Sequence, residues 1–169
     1  FQEDRLPGIN PRWSPNGEWL SYATPEGLRL YHLASGENRM IKNTLRAAAQ
    51  WSPDSKSILL RDVIIKNEQF VTQLFLYDLS SETITNLNAD ENMENILAAW
   101  SPDGEFISVV RRDLSNPRGD QIWLMRANGS DAHAVTDAPA VLHGNLGWSP
   151  DGKYLLYDLY LLDTFPIES

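Results

Sequence analysis

The chain has no cysteine among its 169 residues, so disulfides and thiol chemistry play no part in its stability or function. That absence does not fix a compartment, because exported proteins also do without cysteine. Positive charge is scarce: 14 Lys and Arg stand against 23 Asp and Glu, a formal net charge of −9. Binding a nucleic-acid backbone needs a concentrated basic face, so nucleic acid is excluded as a partner. No apolar run approaches the roughly 20 residues of a membrane-spanning helix, and direct membrane insertion is not expected. The N-terminus shows no basic start followed by an apolar core. Catalytic patterns are missing too. There is no Gly-x-Ser-x-Gly elbow, no phosphate loop and no His-Glu-x-x-His. The chain by itself is expected to be non-catalytic and to use no cofactor or metal.

What is present is a phrase repeated four times: Trp13-Ser-Pro-Asn-Gly17, Trp51-Ser-Pro-Asp-Ser55, Trp100-Ser-Pro-Asp-Gly104 and Trp148-Ser-Pro-Asp-Gly152. The tryptophans lie 38, 49 and 48 residues apart. A period of that size marks a repeat architecture. Ser-Pro-Asp-Gly suits a type I turn, with Pro presetting φ, Asp bonding nearby backbone and Gly relieving the exit. Asp54, Asp103 and Asp151 are therefore read as turn residues. One carboxylate per repeat is too sparse for calcium, which wants six to eight oxygens in one cage. Trp13, Trp51, Trp100 and Trp148 each end a strand, where a large ring can pack between neighbouring sheets.

Each phrase is followed by a charge and an apolar strand, as in Glu18-Trp-Leu-Ser-Tyr-Ala23 and Glu105-Phe-Ile-Ser-Val-Val110. A third strand comes next, as in Gln73-Leu-Phe-Leu-Tyr-Asp78. A tight turn such as Asn128-Gly-Ser130 leads to a short polar fourth strand. The Asn-x-Ser of that turn also matches a glycosylation acceptor, but the turn explains it. Four antiparallel strands per unit, the last one polar, describe a propeller blade with a guarded outer edge. The phrase with its apolar sequel resembles the TolB-like β-propeller repeat, and the resemblance covers nearly the whole chain.

The expected fold is all-β, with blades at about 9–42, 46–87 and 96–136 and an incomplete one at 143–169. About three and a half blades suggest a segment of a larger propeller, or half of a ring finished by another copy, and Phe1 in place of Met agrees. An open blade edge would pair with a second chain, giving a homo-oligomer. The resemblance implies a non-catalytic scaffold that binds a protein or peptide through its loop face or channel mouth, in a periplasmic or other extracytoplasmic setting. It also implies two alternatives. One is the substrate-gating propeller of a larger prolyl-oligopeptidase-like or tricorn-like serine peptidase. The other is the extracytoplasmic sensor of a membrane-anchored regulator.

Two stretches break the repeat, Asp62 to Thr72 and Arg111 to Asp120, and Asp158 to Glu168 begins a third. All three read as long loops between second and third strands, on one face, where repeat proteins often bind. Arg111, Arg112 and Arg118 would give the second loop a positive spot suited to a partner carboxylate. His143, at the entry to an innermost strand, is the histidine placed to face a ligand. His32 and His133 fall on outer strands and are not expected to bind metal.

Overall fold

The computed structural model describes residues 8–44, 48–66, 68–87, 92–115, 119–138 and 141–161. The regular structure among them is β throughout, arranged in two compact units, Phe1–Thr85 and Asn86–Ser169. In the first unit, β1 (Ile9–Trp13), β2 (Trp19–Thr24), β3 (Gly27–His32) and β4 (Asn38–Lys42) form one four-stranded sheet. A second is built from β5 (Ala48–Trp51), β6 (Ser57–Lys66), β7 (Gln69–Asp78) and β8 (Ile84–Asn86), the last strand closing at the unit boundary. The second unit holds β9 (Met93–Trp100), β10 (Phe106–Asp113), β11 (Gln121–Arg126) and β12 (His133–Ala134), followed by the pair β13 (Val141–Trp148) and β14 (Leu155–Leu161). Strand order follows chain order in every sheet, as a propeller blade requires.

The repeated phrase folds the same way four times. The residue at the fourth turn position donates its N–H to the serine carbonyl: Gly17 to Ser14, Ser55 to Ser52, Gly104 to Ser101 and Gly152 to Ser149, at 2.9–3.0 Å. The serine hydroxyl then does two jobs. It donates to the turn Asp or Asn, as from Ser52 to Asp54 Oδ1 at 2.7 Å, and accepts the N–H that opens the next strand, as from Ser57 at 2.9 Å. The carboxylate also accepts the N–H two residues on, Glu105 to Asp103 at 3.0 Å. The serine hydroxyl bonds, with help from these backbone donors, hold the Asp54, Asp103 and Asp151 carboxyls below the usual carboxylate pKa.

Ser55 is the exception among the four exit residues. Its φ is +64°, in the left-handed region that glycine fills in the other copies. The buried hydroxyl accepts the Asn16 N–H at 3.0 Å, which ties the turn of one blade to the next and offsets the backbone cost. A glycine is indispensable at Gly27, where the β2–β3 turn meets the end of β4. Its φ is +149° and an added Cβ would lie 2.2 Å from the Lys42 carbonyl.

Apolar faces close the core of each unit. In the first, Leu28 and Leu30 of β3 pack with Ile58 and Leu60 of β6, beside Trp51 and Tyr77. In the second, Ile107, Val109 and Val110 of β10 are fully buried with Ile122 and Met125 of β11. Each such aliphatic side chain contributes about 1.5–3 kcal/mol by leaving water.

The repeat tryptophans differ in their packing. Trp51 is buried, and its indole N–H points at the Arg12 carbonyl (3.3 Å) and Ser21 Oγ (3.2 Å) of the preceding sheet. Trp148 repeats the contact two periods later, on the Ala99 carbonyl at 3.3 Å. Trp100 is buried as well. Trp13 is not: it is 60% exposed, because no sheet precedes its own among the described residues.

The expected long loops are largely strand. β6 and β7 stay paired without a register shift from Ser57↔Asp78 to Lys66↔Gln69, so Asp62 to Thr72 is a projecting hairpin. β10 continues through Asp113, which places Arg111 and Arg112 in the sheet. Asp158 lies within β14, and the rest of that third stretch falls outside the described residues beyond Leu161.

Candidate functional site

The structure brings three of the four residues singled out in the sequence into one polar cluster of the second unit. The β9–β10 ladder shifts register between Val110↔Leu97 and Arg111↔Asn95, which leaves Ile96 of β9 as the extra residue of a bulge and sets Asn95 opposite Arg111. Arg111 is buried. Its Nε donates to Asn95 Oδ1 at 2.9 Å and its guanidinium lies 4.9 Å from the Trp123 ring centre. Arg112 reaches Glu94 and Asp120, each at 3.7 Å. Asp120, just before β11, accepts the His143 backbone N–H at 2.7 Å, and the same oxygen lies 2.8 Å from His143 Nδ1. An ionised carboxylate only accepts, so Nδ1 carries the proton of that bond. His143 is 5% exposed; its ring meets Tyr157 edge-on at 5.3 Å, and its Nε2 is buried without a polar partner.

This geometry corrects the placement of Arg111 and Arg112 on a loop, and it turns His143, on a strand as expected, to Asp120 in the interior. Arg111 and His143 are spent inside the sheet, and Arg112 is shared between two acids. The cluster fastens β9, β10, the start of β11 and β13 to one another. Arg118 lies outside the described residues. His32 and His133 satisfy local turns, on Ser35 Oγ at 2.8 Å and the Asp131 carbonyl at 2.7 Å. Among the described residues no three His, Asp or Glu side chains converge as metal ligands. Asp54, Asp103 and Asp151 sit apart, each engaged by its own serine.

The concave feature that sequence reading missed belongs to the first unit. A cavity of about 650 Å³ lies beside the projecting β6–β7 hairpin, between Asn43 and Thr44 after β4 and the side chains of Val63, Ile65 and Phe70. Asp62 lies at its inner end, paired with Lys42 at 3.4 Å and hydrogen-bonded by Thr44. Ile65 and Phe70, directly opposite each other, are 72% and 77% exposed. Its signal in the sequence was the β-branched run Val63-Ile-Ile65 facing Phe70-Val71, a strand pattern on both sides of a polar turn.

No protein-family model matches the chain. It is 28% identical over 155 residues to a probable dipeptidyl-aminopeptidase B of Talaromyces marneffei, covering 80% of this chain and 17% of that protein. It is 24% identical over 166 residues to prolyl endopeptidase FAP of Homo sapiens, covering 87% of this chain and 22% of that protein. The chain thus spans about a fifth of these relatives' length. Among solved structures, TolB from Acinetobacter baumannii superposes with a TM-score of 0.60 at 19% identity, over 94% of this chain and 42% of that one. At such identity the likeness establishes the fold, a β-propeller segment built of four-stranded antiparallel blades.

Proposed function

We propose that the chain is the substrate-admitting propeller portion of a peptidase related to the dipeptidyl-aminopeptidases and prolyl endopeptidases. The observation that carries this reading is the similarity over four-fifths or more of the chain to two such peptidases, of which it would be one part. In this role the chain performs no bond cleavage. It shapes and filters access of peptides to a hydrolase that supplies the nucleophile, its base and the oxyanion donors. The polar cluster around Asp120 fits a rigid frame, because each charge in it is spent on holding strands together. A free-standing scaffold role has less support, since the likeness to TolB carries fold alone.

The test is labelling of the polypeptide as its cell makes it with a fluorophosphonate probe, together with its intact mass and its cleavage of Xaa-Pro dipeptide amides. A labelled protein several times larger than 19.1 kDa, active on those amides, is the expected result. An unlabelled natural polypeptide would overturn the reading.

A further inference from the structure

We propose that Asn128 is a self-modifying residue, whose side-chain amide is lost to attack by the Gly129 main-chain nitrogen, leaving aspartate or isoaspartate. Asn16, in the same turn position of blade one, is protected from that reaction. This goes beyond the peptidase reading and does not depend on it.

Asn-Gly occurs twice in the chain, at Asn16-Gly17 and Asn128-Gly129. Glycine has no Cβ to shield its main-chain nitrogen or to restrict its approach to the preceding side chain. The two pairs are built alike. Each asparagine is third and each glycine fourth in a turn closed by the glycine N–H, Gly17 to the Ser14 carbonyl at 2.9 Å and Gly129 to the Arg126 carbonyl at 2.8 Å. Both glycines are left-handed, at φ +75° and +86°. Both asparagines are exposed. In both, a serine hydroxyl donates to Oδ1, Ser14 to Asn16 at 2.7 Å and Ser130 to Asn128 at 2.8 Å. A main-chain N–H adds a second bond, from Glu18 at 3.2 Å and from Ser130 at 3.0 Å. Such donors stabilise the negative charge that gathers on Oδ1 when a nucleophile adds to Cγ.

The difference lies in the leaving group and in how firmly the turn is held. Asn16 Nδ2 donates to Glu18 Oε2 at 2.7 Å, and the Asn16 N–H is tied to Ser55 Oγ of the next blade at 3.0 Å. Asn128 Nδ2 has no partner among the described residues. The strand after Asn16 is β2, which pairs from Trp19↔His32 to Thr24↔Gly27 with β3 and also with β1. The strand after Asn128 is β12, held through Trp123↔Ala134 and Leu124↔His133. Releasing the Gly129 N–H from Arg126 is therefore a local opening of low cost. The reaction balances with water as its only co-reactant. Gly129 N gives its proton to solvent and bonds to Asn128 Cγ; the Cγ–Nδ2 bond breaks, and Nδ2 takes up a proton and leaves as ammonia. Water then opens the imide ring. Cleavage of the new N–Cγ bond gives aspartate, and cleavage of the original peptide bond gives isoaspartate. Aspartate suits the turn, since the Ser130 N–H and hydroxyl can serve its carboxylate as the Lys56 N–H and Ser52 hydroxyl serve Asp54. Isoaspartate adds a main-chain carbon to the turn, which should unpair the short β12.

The experiment holds the intact protein at mildly alkaline pH and follows both sites by peptide mapping in a mass spectrometer, with electron-transfer fragmentation to separate isoaspartate from aspartate. Asn128 should convert about tenfold faster than Asn16, the factor that one charge-assisted hydrogen bond supplies. Reciprocal variants should exchange the behaviour. Glu18→Ser frees Asn16 Nδ2 and should raise its rate about tenfold, while Ser130→Glu gives Asn128 the partner that Asn16 has and should lower its rate as much. In urea the two sites should convert at one rate. Amide exchange at Val135, whose N–H bonds the Ile122 carbonyl at 2.8 Å, should quicken in the isoaspartate form. Three results would each overturn the idea. One is Asn16 converting as fast as Asn128 in the folded protein. Another is Asn128 intact in the folded protein while it converts in urea, meaning that the Gly129 N–H stays locked on Arg126. The last is a contrast that persists in urea, which would come from neighbouring residue types and owe nothing to the fold.

Discussion

β10 and β14 occupy the same place in the repeat, each the strand that directly follows a Trp-Ser-Pro-Asp-Gly turn, and their surroundings are opposite. Ile107, Val109 and Val110 of β10 are fully buried. On β14, Leu156 is 75% exposed, and Leu159, Tyr160 and Leu161 are exposed as well. Both strands are apolar; what differs is company. β10 has β9 on one side and β11 on the other, whereas β14 pairs with β13 alone among the described residues. Burial in a repeat is thus a property of the neighbours a strand receives, and the strand's own residues only make it available.

The tryptophans give the strongest test of that contrast. Trp51→Ala and Trp100→Ala should each cost about 3–5 kcal/mol in urea unfolding, as buried aromatics do. Trp13→Ala, which removes an exposed ring, should stay within about 1 kcal/mol. Equal losses at Trp13 and Trp51 would break the comparison. Next in size, Ile107→Ala should cost about 2–5 kcal/mol, whereas Leu156→Ala should stay within about 0.5 kcal/mol. A Leu156→Ala penalty as large as that of Ile107→Ala would mean that β14 is covered in solution. Sedimentation velocity would then reveal the second copy that does so.

Acid sharpens the comparison at the turns. Asp103 is held below its unfolded pKa of about 3.9 mainly by the Ser101 hydroxyl. Its stabilising effect is complete above that value and is lost as pH falls through the lower folded pKa. Asp103→Asn should therefore leave stability at pH 7 nearly unchanged and flatten its decline below about pH 4. The blade-one turn already carries Asn16 and is the built-in control. Asp78, lowered to about 2 chiefly by the Ser80 hydroxyl and then by the Ser81 N–H, should protonate at lower pH, visible as a late carboxyl titration by NMR. The smallest effect is at Ser55. Glycine there relieves the φ of +64° but forfeits the Asn16 bond, so the melting temperature of Ser55→Gly should barely move.

The sequence made the turns and most strands legible because four copies of one phrase average out local noise. Trp51 and Ser101 behave as their residue types at those positions require. The extension of β6 and β7 was hidden by Lys66-Asn-Glu-Gln69, which has loop composition although two strands flank it. Arg111 was misplaced for a similar reason. An Arg-Arg-Asp run reads as solvated, and it is the β9 bulge at Ile96 that sets the buried Asn95 opposite Arg111, where it accepts from the guanidinium. His143 depends on Asp120, 23 positions away, and no local pattern announces that pair.

The indole bonds of Trp51 and Trp148 have a direction. Each runs from a later blade to the carbonyl just before the previous phrase's tryptophan, Arg12 in one case and Ala99 in the other. Synthesis from the N-terminus therefore delivers the acceptor before its donor, and in these two cases the later blade emerges from the ribosome with its docking point already laid down. Damage should be equally one-sided. If Trp148 is lost, the Ala99 carbonyl keeps the Ser108 hydroxyl at 3.3 Å, but removing the first blade strips Trp51 of both its partners at once.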